Sequence, residues 1–171
     1  MNRRDLLKSF IFVSGGLFFI PYCVGKEEPA SITLSNLKLS ADDETLIAEI
    51  VDTIIPETDT PGARNLGVHL FVLKMVDDCH HPEDQKLFME GLSEFRKRAK
   101  EQLGKSFDEA ELGEREKLLA EIGKDNTDAV GRFFEIIHKR SVLGYTNSEY
   151  VMTHLTRYEL VPARYNGFMH V

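Results

Sequence analysis

Pro82-Glu83-Asp84-Gln85-Lys86-Leu87-Phe88-Met89-Glu90-Gly91-Leu92-Ser93-Glu94-Phe95-Arg96-Lys97-Arg98-Ala99-Lys100-Glu101-Gln102-Leu103 is the stretch that decides the fold. Leu87, Phe88, Leu92, Phe95, Ala99 and Leu103 recur at three- and four-residue spacing, which lines one face of an α-helix. Lys86, Glu90, Glu94, Lys97 and Glu101 share the opposite face. Pro82 suits the first helical position, where a missing N–H costs nothing. The spacing therefore predicts an amphipathic helix lying on an apolar surface, and the chain on both sides supplies that surface.

Upstream, Ser40 reads as a helix N-cap, with Asp42, Asp43 and Glu44 in the first turn where the helix dipole favours anions. Leu46, Ile47, Ile50, Val51, Ile54 and Ile55 follow at helical spacing until Pro56 stops the helix. Residues 57–67 are rich in turn formers and read as a loop. A second helix is expected from about Val68 to Asp78, carrying Phe71, Val72, Met75 and Val76. Downstream, a shorter helix is expected from about Asp108 to Ile122. Another from about Thr127 to Leu143 turns Val130, Phe133, Phe134 and Ile137 inward and ends at Gly144. Asn147 or Ser148 caps a last helical piece to about Leu155. No internal repeat and no convincing alternating segment is present, so the expected class is all-α, an irregular helical bundle.

The ends differ from this pattern. Lys26 to Leu39 lacks a clear period and reads as an extended leader, and from about Arg157 the breakers Pro162 and Gly167 predict an extended tail. Residues 40–171 are therefore expected to form the helical domain with its tail. Ahead of the leader, Arg3, Arg4, Leu6, Leu7 and Lys8 run into the apolar stretch Ser9 to Val24. An arginine pair before a modest apolar segment resembles a bacterial twin-arginine export signal, read by the twin-arginine translocase, which carries folded proteins. A plain secretory signal is the alternative. The apolar run is short of the roughly 20 residues a spanning helix needs. Cys23-Val24-Gly25 offers small residues for cleavage before Lys26, giving a signal over residues 1–25. Lipidation of Cys23 is the lesser alternative, since bulky Tyr22 precedes it. A periplasmic location follows from this reading.

The chain has 171 residues and a formal net charge of −7; removing Arg3, Arg4, Lys8 and Asp5 makes it more acidic still. Nucleic acid and anionic membrane surfaces are poor partners for such a chain. With Cys23 in the signal, Cys79 stands alone. Cys79 is expected to be buried and inert, with an intermolecular disulfide or a free exposed thiol as the alternatives.

Chemistry-bearing clusters are few. Asp77-Asp78-Cys79-His80-His81 is dense in ligand types but sits at a helix junction, and metal sites draw on several places in a fold, so it reads as a polar turn. Glu135 and His138 match a Glu-x-x-His spacing. Glu135, however, points roughly 150° from the apolar face at 100° per residue, and no second such motif exists. Arg96-Lys97-Arg98 with Lys100 spreads around its helix among Glu94 and Glu101, as a solvated face does. Phosphate loop, dinucleotide fingerprint, haem attachment and nucleophile elbow are all missing. No catalytic residue, metal or cofactor is assigned to this chain.

Ile54-Ile55-Pro56-Glu57-Thr58-Asp59-Thr60-Pro61-Gly62-Ala63, followed by Gly67-Val68, resembles the opening motif of the gluconate 2-dehydrogenase subunit 3 family. His81-Pro82-Glu83-Asp84, Phe133-Phe134, Gly144-Tyr145-Thr146-Asn147-Ser148-Glu149, and Arg157-Tyr158 through Val161-Pro162 to Arg164-Tyr165-Asn166-Gly167 extend the resemblance from about Ser40 to the end. Ala163 and Tyr150 depart from it, each standing where glycine is common. The resemblance implies a non-catalytic small subunit of a periplasmic, membrane-associated sugar or sugar-acid dehydrogenase. The implied large partner is an FAD-binding flavoprotein of glucose-methanol-choline type, often joined by a cytochrome c subunit. The small subunit would lend its signal to that partner. Pro56, Thr60, Pro61, Gly62, Tyr145, Tyr158, Pro162, Tyr165 and Gly167 are the candidate partner contacts, because loops and tails are where such contacts concentrate. Loop shaping and tail packing are the alternative roles for them. A stand-alone metal-dependent helical enzyme is the competing function class.

Overall fold

The computed structural model describes residues 29–125, 127–156, 158–159 and 161. Among them the chain is helical and contains no strand, as the apolar period predicts. Helix α1 spans Ala41–Ile54, α2 Val68–Cys79, α3 Pro82–Leu103, α4 Leu112–Ile122 and α5 Ala129–Thr146, followed by a single π-helical turn over Val151–Leu155.

Local chemistry sets the helix ends. Ser40 caps α1 in a reciprocal box: its side chain accepts from the Asp43 N–H, and the Asp43 carboxylate accepts from the Ser40 N–H. Asp128 caps α5 by accepting from the Gly131 N–H at 2.7 Å, and its charge is steadied by Arg98 at 2.6 Å. Gly104 ends α3 in the left-handed region, φ 69°, where a side chain is strained.

The core is built on three phenylalanines. Phe88, Phe95 and Phe133 are fully buried, with ring centroids 5.0 Å apart for Phe88–Phe133 and 5.8 Å for Phe95–Phe133. Phe107 extends the stack with its ring 5.3 Å from Phe95. The crossing of α3 on α5 is the most extensive helix–helix contact, and Gly91 makes it possible. A Cβ there would lie 2.4 Å from the Phe133 Cβ and 2.5 Å from the Ala129 carbonyl oxygen. Ile47, Ile50, Val51, Val72, Leu73, Val76 and Ile137 complete the interior.

Several expectations are corrected. Helix α4 begins at Leu112 instead of Asp108, because Phe107 and Ala110 turn inward from a preceding turn and mimic helical spacing. Gly144 does not end α5, which runs on to Thr146. Its missing side chain serves packing, since a Cβ would fall 2.6 Å from Phe71 Cδ1 and 3.1 Å from Val68 Cγ1. Cys79 is a free, exposed thiol, not a buried one. It lies at i+3 from Val76 and i+7 from Val72, on the apolar stripe, but it is the last residue of α2. Exposed Asp78 and His81 beside it mark where the covered surface ends. The last helical piece ends at Leu155 as expected, yet it is wound as a π turn.

Residues 29–39 lie on the bundle as a loop with bends at 31–32 and 35–36, its ends brought together by the Pro29–Ser40 bridge and by the Ala30 N–H donating to the Leu39 carbonyl at 3.4 Å, with Leu37 buried and Ile32, Leu34 and Leu39 packed against the core. The signal residues Arg3, Arg4, Leu6, Leu7 and Lys8, and the tail residues Pro162, Tyr165 and Gly167, lie outside the described residues. No described helix is long and apolar enough to cross a membrane.

Candidate partner-docking site

Pro56 breaks α1, and the backbone then closes a compact loop: the Ala63 N–H donates to the Ile55 carbonyl at 2.9 Å and the Thr58 N–H to the Thr60 carbonyl at 3.0 Å. Gly62 is buried in this loop, where a Cβ would meet the Glu57 nitrogen at 2.7 Å. Gly67, at φ 67°, turns the chain into α2 through a conformation that favours glycine. The sides of the loop are held by polar ties. Asn65 Nδ2 donates to Glu57 Oε2 at 2.8 Å, and Arg64 pairs with Glu49 on α1. Arg115 of α4 reaches the other Glu49 oxygen at 2.6 Å, so one carboxylate joins the loop, α1 and α4.

The loop is also tied to the far end of the chain. The Tyr145 hydroxyl donates to the Pro61 carbonyl at 3.1 Å and lies 3.4 Å from Thr60 Oγ1. With its single proton spent on Pro61, the phenol accepts from Thr60. Of the sequence-predicted contacts, Thr60, Pro61 and Tyr145 therefore meet at one place, half-buried, with Pro56 at the loop entrance. Gly62 contributes geometry and no surface. Glu57, Thr58 and Asp59 form the exposed tip.

On either side of Tyr145 several large apolar side chains are exposed among polar ones. Val142 and Leu143 on α5, Leu155 on the π turn, then Tyr158 at 49% and Val161 at 78% exposure are five of the six large hydrophobic residues left exposed among those described. They are set among exposed Thr146, Asn147, Glu149, Thr153 and His154 and are individual candidates for partner contact. Tyr150 and His154 stack at 4.8 Å and brace the π turn beside them.

The run from Asp77 to His81 does not converge. Asp77 points inward, Cys79 and His81 are exposed, and His80 Nε2 faces Arg140 Nη2 at 3.2 Å. A guanidinium has only donors, so Nε2 accepts and the ring is neutral. Burial and the Arg140 charge both hold the His80 pKa below its ordinary value. Glu135 is engaged by Lys139 at 2.5 Å. Among the described residues no group of three or more His, Cys, Asp or Glu is placed to hold a metal ion.

Sequence reasoning placed Asp77 in a polar turn and missed its role, since it lies buried on α2. Its side chain is buried, and its two oxygens accept from the backbone N–H groups of Ser35 at 2.7 Å, Asn36 at 2.7 Å and Leu37 at 2.9 Å. Burial pushes its pKa up, but those three donors and Lys74 outweigh it and hold the carboxyl below the usual carboxylate range. The available signal was an acid at i+4 from Leu73 and i+1 from Val76, on the buried side of α2.

A small helical domain with a proline loop braced by Tyr145 is the class these features define. A family model described as gluconate 2-dehydrogenase subunit 3 matches residues 41–163, and the chain belongs to that family. The match takes in the proline loop, Tyr145 and Tyr158, and the resemblance read from the motifs is thereby shown. Searches of curated proteins and of solved structures found no match.

Proposed function

We propose that this chain is the non-catalytic small subunit of a periplasmic, FAD-dependent sugar or sugar-acid dehydrogenase. It binds the flavoprotein large subunit, supports its maturation and escorts it through the twin-arginine route on the strength of Arg3 and Arg4. It then stays bound at the inner membrane, with a cytochrome c subunit as a further member of the complex. The flavin belongs to the large subunit. The observation that carries this reading is the family match over residues 41–163, to a family described as a dehydrogenase subunit, and the exposed Leu143 and Tyr158 supply apolar side chains for a partner contact. Aromatic anchors such as Tyr158 dominate many interfaces.

Co-expression with the large subunit and affinity purification test it. The wild-type pair should co-purify. Leu143→Ser and Tyr158→Ala should each cut recovery of the flavoprotein by roughly tenfold, the effect of losing an anchor. Failure of the wild-type pair to associate would overturn the reading.

A further inference from the structure

We propose that residues 29–39 form a clasp, closed by the Asp77 carboxylate, which ties the amino-terminal segment to the domain only when α2 and α3 are folded. Three consecutive backbone N–H groups converge on one buried carboxylate across about forty positions of chain. The Asn36 side chain adds a bond from Nδ2 to the Asp77 carbonyl at 2.9 Å. On the other side, Gln85 of α3 donates to the same carbonyl at 2.8 Å and to that of Val76 at 3.1 Å. The receptor for the clasp is thus a helix end completed by the next helix. An unfolded chain has no means of assembling it, because the groups come from three separate stretches.

The clasp has a second fastening nearer its start. Both the N–H and the hydroxyl of Ser31 bond to Glu44 in the first turn of α1, and Pro29 pairs with Ser40 in an isolated antiparallel bridge. Pro29 and Ser31 are therefore held at a fixed point beside the start of α1. In the context of the export reading, on which this consequence rests, residues 29–39, which follow the signal, are tied to the domain only in its folded state. Folding thereby fixes the point at which the chain behind the signal joins the domain.

Hydrogen–deuterium exchange on the full chain tests the clasp without reference to export. Asp77→Asn removes the charge and keeps one acceptor oxygen, so that with this oxygen on Asn36 and Leu37 the new NH2 group faces the Ser35 N–H donor to donor, and Asn36→Ala removes only the side-chain bond. The Asp77 variant should speed exchange of the Ser35–Leu37 amides on the order of 100-fold while core amides of α3 and α5 keep their protection, as expected for local opening. Asn36→Ala should give the same pattern at roughly tenfold. Unchanged strap exchange in both variants overturns the clasp. So does loss of core protection in Asp77→Asn together with an unaltered strap in Asn36→Ala. Cell fractionation supplies the second arm: strap-opened but folded variants should be exported differently from wild type. A wild-type chain that is not exported sinks the export reading and leaves the exchange result standing.

Discussion

The Tyr145 hydroxyl donates to the Pro61 carbonyl at 3.1 Å, across 84 positions of chain. That bond joins the end of α5 to the loop after α1, so the family's opening motif and its Gly-Tyr-Thr-Asn motif form one structural unit.

Tyr145→Phe keeps the ring and deletes both hydroxyl contacts. The expected loss is about 1 kcal/mol, the usual net worth of a hydrogen bond, read from a denaturant midpoint with unchanged slope. Loop amides should exchange faster while the α3–α5 core does not.

Gly91→Ala and Gly144→Ala test whether packing or propensity wins. Within a helix, alanine is favoured over glycine by about 1 kcal/mol. At Gly91 the added Cβ meets a backbone oxygen at 2.5 Å, which cannot step aside. A net destabilisation of roughly 3 kcal/mol is expected there from overpacking. At Gly144 the obstacle is the Phe71 ring, which can rotate, and the loss should be smaller. Calorimetry of both variants decides the order.

Acid should weaken the fold before the carboxylates titrate. His69 is held below its ordinary pKa chiefly by burial, with Arg64 adding to this and Glu44 opposing it; His80 is lowered by burial and Arg140. The unfolded chain binds these protons more readily, so stability is full above the unfolded value of about 6.5 and falls as pH drops toward the folded values. Urea midpoints between about pH 7.5 and 5.5 should decline accordingly. His69→Gln should flatten the slope; an unaltered slope in that variant would remove His69 from the account.

Arg3→Lys with Arg4→Lys should leave the melting temperature of the purified chain unchanged, since both positions precede the matched domain. Dehydrogenase activity in the periplasmic fraction should nevertheless fall, with the flavoprotein retained in the cytoplasm. A flavoprotein that reaches the periplasm in normal amounts while this chain stays behind would defeat the escort role.

Helices α1 and α3 were legible because each carries its own start signal and period: Ser40 before α1, Pro82 opening α3, and Leu92, Phe95 and Ala99 along one face. Where reading failed, a tertiary demand overrode a local one. Gly144 has the composition of a helix stop, yet the close approach of Phe71 is what requires it. Phe107 and Ala110 supply core contacts from a turn, which spacing alone cannot tell from a helix. The turn formers of residues 57–67 were legible as a loop, while Pro162, Tyr165 and Gly167 of the tail lie outside the described residues. The Tyr145–Pro61 bond that assembles the candidate site depends on two segments meeting, and no local pattern contains that information.

The position of the strap bears on where the chain can be cut. The family match begins at residue 41, but the donors that satisfy Asp77 lie at 35–37. A polypeptide begun at Ala41 keeps every helix and strips a buried carboxylate of its three backbone donors, leaving Lys74 at 3.9 Å as its remaining charge partner. Such stripping costs several kcal/mol or forces the group to take up a proton. The stretch that marks kinship is therefore shorter than the stretch that makes a sound molecule, and truncations meant to isolate the domain should start at or before Pro29.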